Sequence, residues 1–207
     1  MKTPYYFIIA FLLAFAVSQC KTETLTNEEQ QLVFSGDKNE TMRLFVIDNY
    51  SDSLLLRQKA RPINKSDVNN PQIVHLKNRM LATVHDTLDS GVGIAAPQVG
   101  VSVQMIYVQR FDKEGEPFEI YFNPVITMLG DSINSGMEGC LSVPGYRGKV
   151  DRSQNIKIAY IDSTGKPRKE TINEFTAVIF QHEIDHLNGV LYYDHIFNGL
   201  NSLQISK

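Results

Sequence analysis

The 207-residue chain is poor in cysteine, with two, at positions 20 and 140. Two cannot build the disulfide-dense scaffold of a small secreted domain. A basic excess is missing too. Twenty Lys and Arg stand against 23 Asp and Glu, a formal charge of −3. Nothing in that balance draws the chain to a phosphate backbone, so no nucleic acid is expected as a partner. No apolar run reaches the length of about 20 residues that a spanning helix needs. The longest, over 5–17, has thirteen. Thirteen glycines and eight prolines are near average, which excludes a collagen-like or low-complexity chain. Internal repeats are absent. What remains is a length that suits one ordinary domain plus some tail, with 43% hydrophobic residues to fill a core.

The first twenty residues read as an address. Lys2 is a short positive region, and 5–17 suits the apolar heart of a signal peptide. Ser18-Gln19-Cys20 follows, then polar Lys21-Thr22-Glu23-Thr24. A cysteine just after such a run resembles a bacterial lipoprotein signal, with residues 1–19 removed and Cys20 lipidated. An ordinary signal peptide and an uncleaved anchor are the alternatives. Residues 20–53 are polar and irregular, as a tether would be, with a short edge strand over 42–47. A folded domain is expected over 54–207.

Within that domain the spacing of Ile73, Leu76, Met80, Leu81, Val84 and Leu88 predicts a helix. Asn70 is its cap and Pro71 its first residue, and it stops before Ser90. His75 and His85 on it read as surface or core-edge histidines. Strands are expected over 101–109 and 118–123, joined by a turn at 112–117. A second hairpin spans 155–162 and 168–172. Asn173 then caps a helix over 174–188 that Gly189 ends. Helices and hairpins without βαβ alternation give an α+β fold.

The last helix carries the chemistry. His182 and His186, at i and i+4, share one face and can reach one metal ion. Glu183, beside the first histidine, is free to act as a base in this H-E-x-x-H pattern. A third protein ligand is needed. A histidine three residues beyond Gly189 would complete one known pattern, but position 192 is Tyr, and no Glu follows Glu183. Asp194 and His195 are candidates just past the helix. Cys140, a lone cysteine in the turn-like stretch Glu138-Gly139-Cys140-Leu141-Ser142-Val143-Pro144, is the better one, since a thiolate is a strong ligand. A buried structural cysteine is the alternative.

Three segments in order, Gly91-Val92-Gly93-Ile94-Ala95-Ala96-Pro97-Gln98, Glu138-Gly139-Cys140-Leu141-Ser142 and Gln181-His182-Glu183-Ile184-Asp185-His186-Leu187, resemble the signature motifs of peptide deformylase. Leu56-Arg57-Gln58-Lys59-Ala60-Arg61-Pro62-Ile63, Asn123-Pro124 and Gly189-Val190-Leu191 add to the resemblance, which runs from about residue 54 to 196. It implies antiparallel hairpins and sheets around a central metal-binding helix. It implies one divalent metal on Cys140, His182 and His186, with Fe²⁺ expected and Zn²⁺, Ni²⁺ or Co²⁺ able to replace it. Glu183 would carry protons, and the Gln98 amide and the Leu141 N–H would face the oxyanion. An extended N-formyl-methionyl peptide would lie along Gly91, Val92, Gly93 and Ile94. Its methionine would enter a pocket of Phe175, Val178 and Ile179, and formate would leave. Glu138 and Arg147 are candidates to pair beside the metal loop, with a solvated Arg147 as the equal alternative.

The leader departs from that pattern, because nascent chains are not met outside the cytoplasm. An envelope-anchored enzyme and an ordinary cytoplasmic one are the two expectations for location. Two other functions compete: an exported amidohydrolase or peptidase on another acylated peptide, and a non-catalytic binding lipoprotein.

Overall fold

The computed structural model describes residues 24–86, 91–198 and 204–205. The leader and Cys20 lie outside the described residues. No helix among the described residues is long and apolar enough to cross a membrane.

The elements in chain order are α1 (Asn27–Val33), α2 (Tyr50–Leu56), α3 (Pro71–His85), β1 (Gly93–Ala95), β2 (Met105–Gln109), β3 (Phe118–Leu129), β4 (Ile133–Cys140), β5 (Val143–Ser153), β6 (Asn155–Ile161), β7 (Pro167–Asn173), α4 (Glu174–Leu187), α5 (Tyr192–Asn198) and β8 (Gln204–Ile205). A 3₁₀ turn, Ala96–Val99, follows β1. Every strand pair in the two sheets is antiparallel, in the orders β1-β2-β3-β6-β7 and β4-β5-β8. The fold is α+β, with α4 packed against β1 and β2.

Two cores result. One packs the α3 face of Ile73, Leu76, Met80 and Val84 against Ile94, Val103 and Met105. The other packs Ala177, Phe180 and Ile184 of α4 against Ile106, Val108, Ile156 and Ile172. Alternation on half-buried strands and the 3.6-residue stripe of the helices together account for both.

Asn70 caps α3 as expected, its Oδ1 accepting from Gln72 N at 3.0 Å. Asn173 takes the N-cap position of α4, yet its Oδ1 accepts from Asn155 Nδ2 at 3.1 Å rather than from a helix N–H. Beyond α4, Gly189 has φ +72°, and a Cβ there would collide with the Arg57 carbonyl. A side chain is excluded twice over, by the left-handed backbone and by the space. The turn sets α5 back against β5. Asn123 is also left-handed, at φ +48° in a bulge of β3. Its amide repays the strain by accepting from Ile63 N at 2.8 Å and donating to Ile63 O at 2.7 Å.

The expected tether over 20–53 is folded from Thr24 onward. Thr26 and Glu29 form a reciprocal capping box on α1. Leu25 and Val33 are fully buried in the α3 core. Arg79 of α3, also buried, donates to the carbonyls of Leu32, Val33, Glu40 and Thr41 at 2.8–3.1 Å. Glu29 accepts from Ser102 N at 2.8 Å and from Arg61 at 2.5 Å. The expected edge strand over 42–47 is an extended strap outside both sheets. Phe45 N donates to Gln98 O at 2.8 Å, and Ile47 N to Ser142 O at 3.0 Å. The strap thereby backs two segments that carry site residues.

Candidate metal centre

Glutamine 181 docks α4 on β5. Its Oε1 accepts from Ser153 N at 3.1 Å, and its Nε2 donates to Ser153 O at 2.8 Å. This fixes the rotation that points His182 and His186 at the β4–β5 turn. Cys140 ends β4 there, with Sγ 3.1 Å from His186 Nε2. One donor atom each from Cys140, His182 and His186 falls within 4.8 Å of the others. Ser142 N and Gln98 Nε2 donate to the same sulfur at 3.4 and 3.6 Å.

The expected partner of Glu138 is corrected. Glu138 binds Arg152, not Arg147: its Oε1 accepts from Nε at 2.8 Å and its Oε2 from Nη2 at 3.1 Å. In the β4–β5 ladder Arg147 stands opposite Gly139. Glu138 Oε2 also sits 2.8 Å from His182 Nδ1. A hydrogen on Nδ1 leaves Nε2 free for a metal, the usual arrangement of a carboxylate behind a ligating imidazole. Arg152 continues to Asp185 Oδ2 at 2.6 Å, which His195 Nε2 meets at 2.8 Å. His195 and Asp194 are thereby accounted for away from the cluster, Asp194 in an ion pair with Arg57.

The electrostatics suit a bound cation. Burial would raise the Glu138 carboxyl, but hydrogen bonds from His182 and Arg152 outweigh it and hold the group at about 2. Burial, then the charges of His182 and Arg152, drive His186 well below the usual imidazole range, so it is the neutral donor a metal requires. His182 moves the other way. Burial opposes its charge, but the sulfur and carboxylate beside it prevail. In a cluster of one thiol and two carboxylates, a positive charge is called for, and a divalent ion would relieve His182 of that role. One sulfur and two imidazoles suit iron or zinc.

Glu183 lies beside this cluster, 4% exposed, and its Oε2 is buried with no hydrogen-bond partner among the described residues. Burial pushes it up to about 7, with Glu138 and Asp185 adding and His182 opposing. Gly93 explains how the carboxylate fits: a Cβ there would lie 2.5 Å from Glu183 Oε1. Gln98 is 2% exposed. Its Oε1 accepts from Ala95 N at 2.8 Å, which turns Nε2 toward Cys140 and Ser142.

A cavity of about 400 Å³ opens beside the cluster, walled by Gly91, Val92, Gly93, Gln98, Leu141, Phe175, Val178 and Ile179, with Met137, Tyr146 and Arg147 on its β4–β5 side. The structure thus joins all but one of the expected site residues. The exception is Ile94, whose side chain is fully buried in the α3 core and is no part of the cavity wall. His186 lies behind the wall, against Cys140. Arg152 escaped the sequence reading, and Asp185 and Ser142 were quoted in the motifs without a role. Arg152 reaches Glu138 only across the β4–β5 hairpin, so no local spacing marked it.

Comparison with known proteins agrees with this geometry. The polypeptide deformylase family matches residues 44–201. A peptide deformylase of Brucella suis is 38% identical over 155 residues, covering 74% of this chain and 85% of its own length. One from Synechocystis is 40% identical over 153 residues, covering 73% and 79%. The actinonin-bound class I type b peptide deformylase of Acinetobacter baumannii superposes with a TM-score of 0.67 at 32% identity, over 76% of this chain and 99% of that one. Residues 24–43, with α1, precede the family match. The chain belongs to the peptide deformylase family, a family of metal-dependent hydrolases.

Proposed function

We propose that the protein hydrolyses the formyl amide of N-formyl-methionyl peptides, releasing formate and a peptide with a free amino terminus. The observation that carries this reading is the Cys140, His182 and His186 cluster with the unpartnered Glu183 carboxylate beside it, at the foot of the cavity. A divalent ion on those three residues, Fe²⁺ in our reading with Zn²⁺, Ni²⁺ or Co²⁺ as substitutes, supplies Lewis acidity when bound.

The chain's own residues do the rest. Glu183 accepts a proton from the attacking water and returns it to the leaving nitrogen, a role suited to a carboxyl held near neutrality. The Gln98 Nε2 and the Leu141 N–H donate to the formyl oxygen as it gains charge. Phe175, Val178 and Ile179 receive the methionine side chain. Gly91 and Gly93, lacking side chains, let an extended peptide approach the backbone. The assay is formate release from a formyl-Met peptide by the metal-loaded full chain, with the acetyl-Met peptide as control. Formate from the first and no cleavage of the second is expected. No release by a fully loaded protein rejects the reading.

The apolar stretch over 5–17 followed by Cys20 supports an envelope location, with Cys20 lipidated and the enzyme held on a membrane outside the cytoplasm. Its substrates there are released or exported formyl peptides. Fractionation of cells making the full chain or Cys20→Ala tests this. Native protein in the cytosol with its leader intact places the enzyme in the cytoplasm instead.

A further inference from the structure

Apolar side chains are unevenly exposed. Ten large ones stand open to solvent among the described residues, and seven of them lie over 125–175. Leu129, Ile133 and Met137, each more than half exposed, follow β4 away from the cavity.

β4 is an edge strand. In the order β4-β5-β8 it pairs with β5 alone, so its other side presents unpaired N–H and C=O groups. Natural sheets guard such edges with charge or proline. The edge strand β7 of the other sheet does so, opening Pro167-Arg168-Lys169. β4 does not. Ile133-Asn134-Ser135-Gly136-Met137 has no charge and no proline, and every residue of it is exposed. A Cβ on Gly136 would meet nothing within 4 Å. An open apolar edge of this kind is a template for an added strand.

That edge leads out of the cavity, whose wall includes Met137, Gly139 and Cys140. Side chains alternate along a strand, so Ile133 and Met137 share the face of Gly139. Leu129 joins them at the corner, because Ser153, the ladder partner of Ile133, donates its Oγ to Gly130 O at 2.8 Å. The charges on this face, Arg147, Lys149 and Asp151, belong to β5. From Cys140 to Ile133 the strand runs about 24 Å. An extended peptide with its formyl group at the metal cluster reaches Met137 with about its fourth residue and Ile133 with about its eighth.

Resting on the deformylase reading above, we infer that the open edge of β4 binds the apolar downstream stretch of the substrate, from about the fourth residue to about the eighth. Main-chain bonds to β4 hold the stretch, and alternate side chains lie on Met137, Ile133 and Leu129. The favoured substrates are therefore formyl-Met peptides that continue into an apolar segment.

The experiment uses the metal-loaded full chain and three peptides with amidated ends. One is formyl-Met-Ala-Ser. The second is a formyl-Met nonapeptide with leucine at its fourth, sixth and eighth positions, and the third has serine there. KM for the leucine nonapeptide should be about tenfold below that for the serine one, with kcat alike. Equal KM values overturn the inference while tripeptide turnover stands. No turnover of the tripeptide rejects the deformylase reading, and the inference with it. Leu129→Ser with Ile133→Ser, both at exposed positions, should bring the two nonapeptides together. A full leucine advantage in that variant overturns the location. A readout independent of turnover is amide hydrogen exchange with the deformylated leucine nonapeptide at saturation. Exchange over 133–139 should slow several-fold, and no slowing overturns strand addition. Sedimentation and vesicle flotation of both proteins cover the other occupants. Self-association or lipid binding that the variant loses, with the KM gap intact, gives the face to a second copy or to a membrane and overturns the inference.

Discussion

Of the three arginines buried among the described residues, Arg79 serves backbone carbonyls, while Arg110 and Arg152 are held by carboxylates and put the same guanidinium chemistry to different ends. Arg110, 1% exposed at its side chain, meets Asp112, Glu119 and Glu170 beside the five-stranded sheet. Arg152, 5% exposed, meets Glu138 and Asp185 behind α4. The difference is in what each carboxylate touches next. Around Arg110 the chain of contacts closes on Lys113, Tyr121 and Tyr160, and no metal-binding group belongs to it. Around Arg152 it passes through Glu138 to His182, a metal ligand. A buried charge network is structural or functional according to where it ends, and not according to how deeply it lies. Neither is an argument for stability in itself, because desolvation offsets much of the attraction.

The largest expected effect lies next to the histidine that the Arg152 chain reaches, at Glu183. Glu183→Gln keeps the shape and removes the base, so kcat should fall by about 10²–10⁴-fold while metal content stays at one per chain. Metal analysis and formate release on the same sample check both halves. Near-normal kcat would detach Glu183 from the chemistry and leave the comparison of the two arginines without a functional side.

Next comes the connecting carboxylate. Glu138→Gln keeps a hydrogen-bond acceptor near His182 but loses the charge, and outer-shell losses of this kind cost about 10–100-fold in metal affinity or activity. Competition with a chelator measures it. Arg110→Met should leave metal affinity unchanged in the same assay. Equal weakening in both variants would erase the distinction.

How much of this could be read from the chain alone follows the range of the interactions. α3, α4 and the two hairpins within the five-stranded sheet were legible because their signals are local: an Asn-Pro start, a 3.6-residue stripe, and polar turns with a glycine between apolar runs. The metal set was legible because His182 and His186 are one helical turn apart and the motif order supplied Cys140. β4 and β5 were not. β4 has one buried position, Glu138, and glycines at 136, 139, 145 and 148 break the apolar alternation that marks a strand. The folded start of the chain had a local sign that went unused, the Thr26-x-x-Glu29 capping box. Its other supports were invisible, since Arg79 reaches carbonyls about forty residues away. Arg152 had no sequence signal for the same reason.

The third effect is on stability and runs the opposite way. Arg110→Met leaves three carboxylates around an apolar side chain. Breaking a fully buried pair costs about 3–5 kcal/mol. Here the carboxylates are 27–34% exposed and can be rehydrated, so about 2 kcal/mol is expected. Urea unfolding of the metal-free form should show it, with kcat of the loaded form near normal. A large fall in kcat at full metal content would move Arg110 to the functional side of the comparison.

The smallest effect tests the sign of the Arg110 interaction by pH. The guanidinium beside Asp112 holds its carboxyl below the usual value of 3.8, against an opposing contribution from burial. A carboxyl lowered in the folded state contributes stability that is fully present above its unfolded value and is lost as pH falls through the folded one. The Arg110–Asp112 share therefore stands at pH 7 and fades below about pH 3.8. In Arg110→Met that share is already gone, so the variant has less to lose. The gap in unfolding free energy between the two metal-free proteins should narrow from pH 7 to pH 3. Because Asp112 is partly solvated, the narrowing should be under about 1 kcal/mol. A gap that stays constant over that range would mean that Arg110 holds the sheet end by packing rather than by charge. A gap that widens in acid would reverse the sign assigned to Asp112.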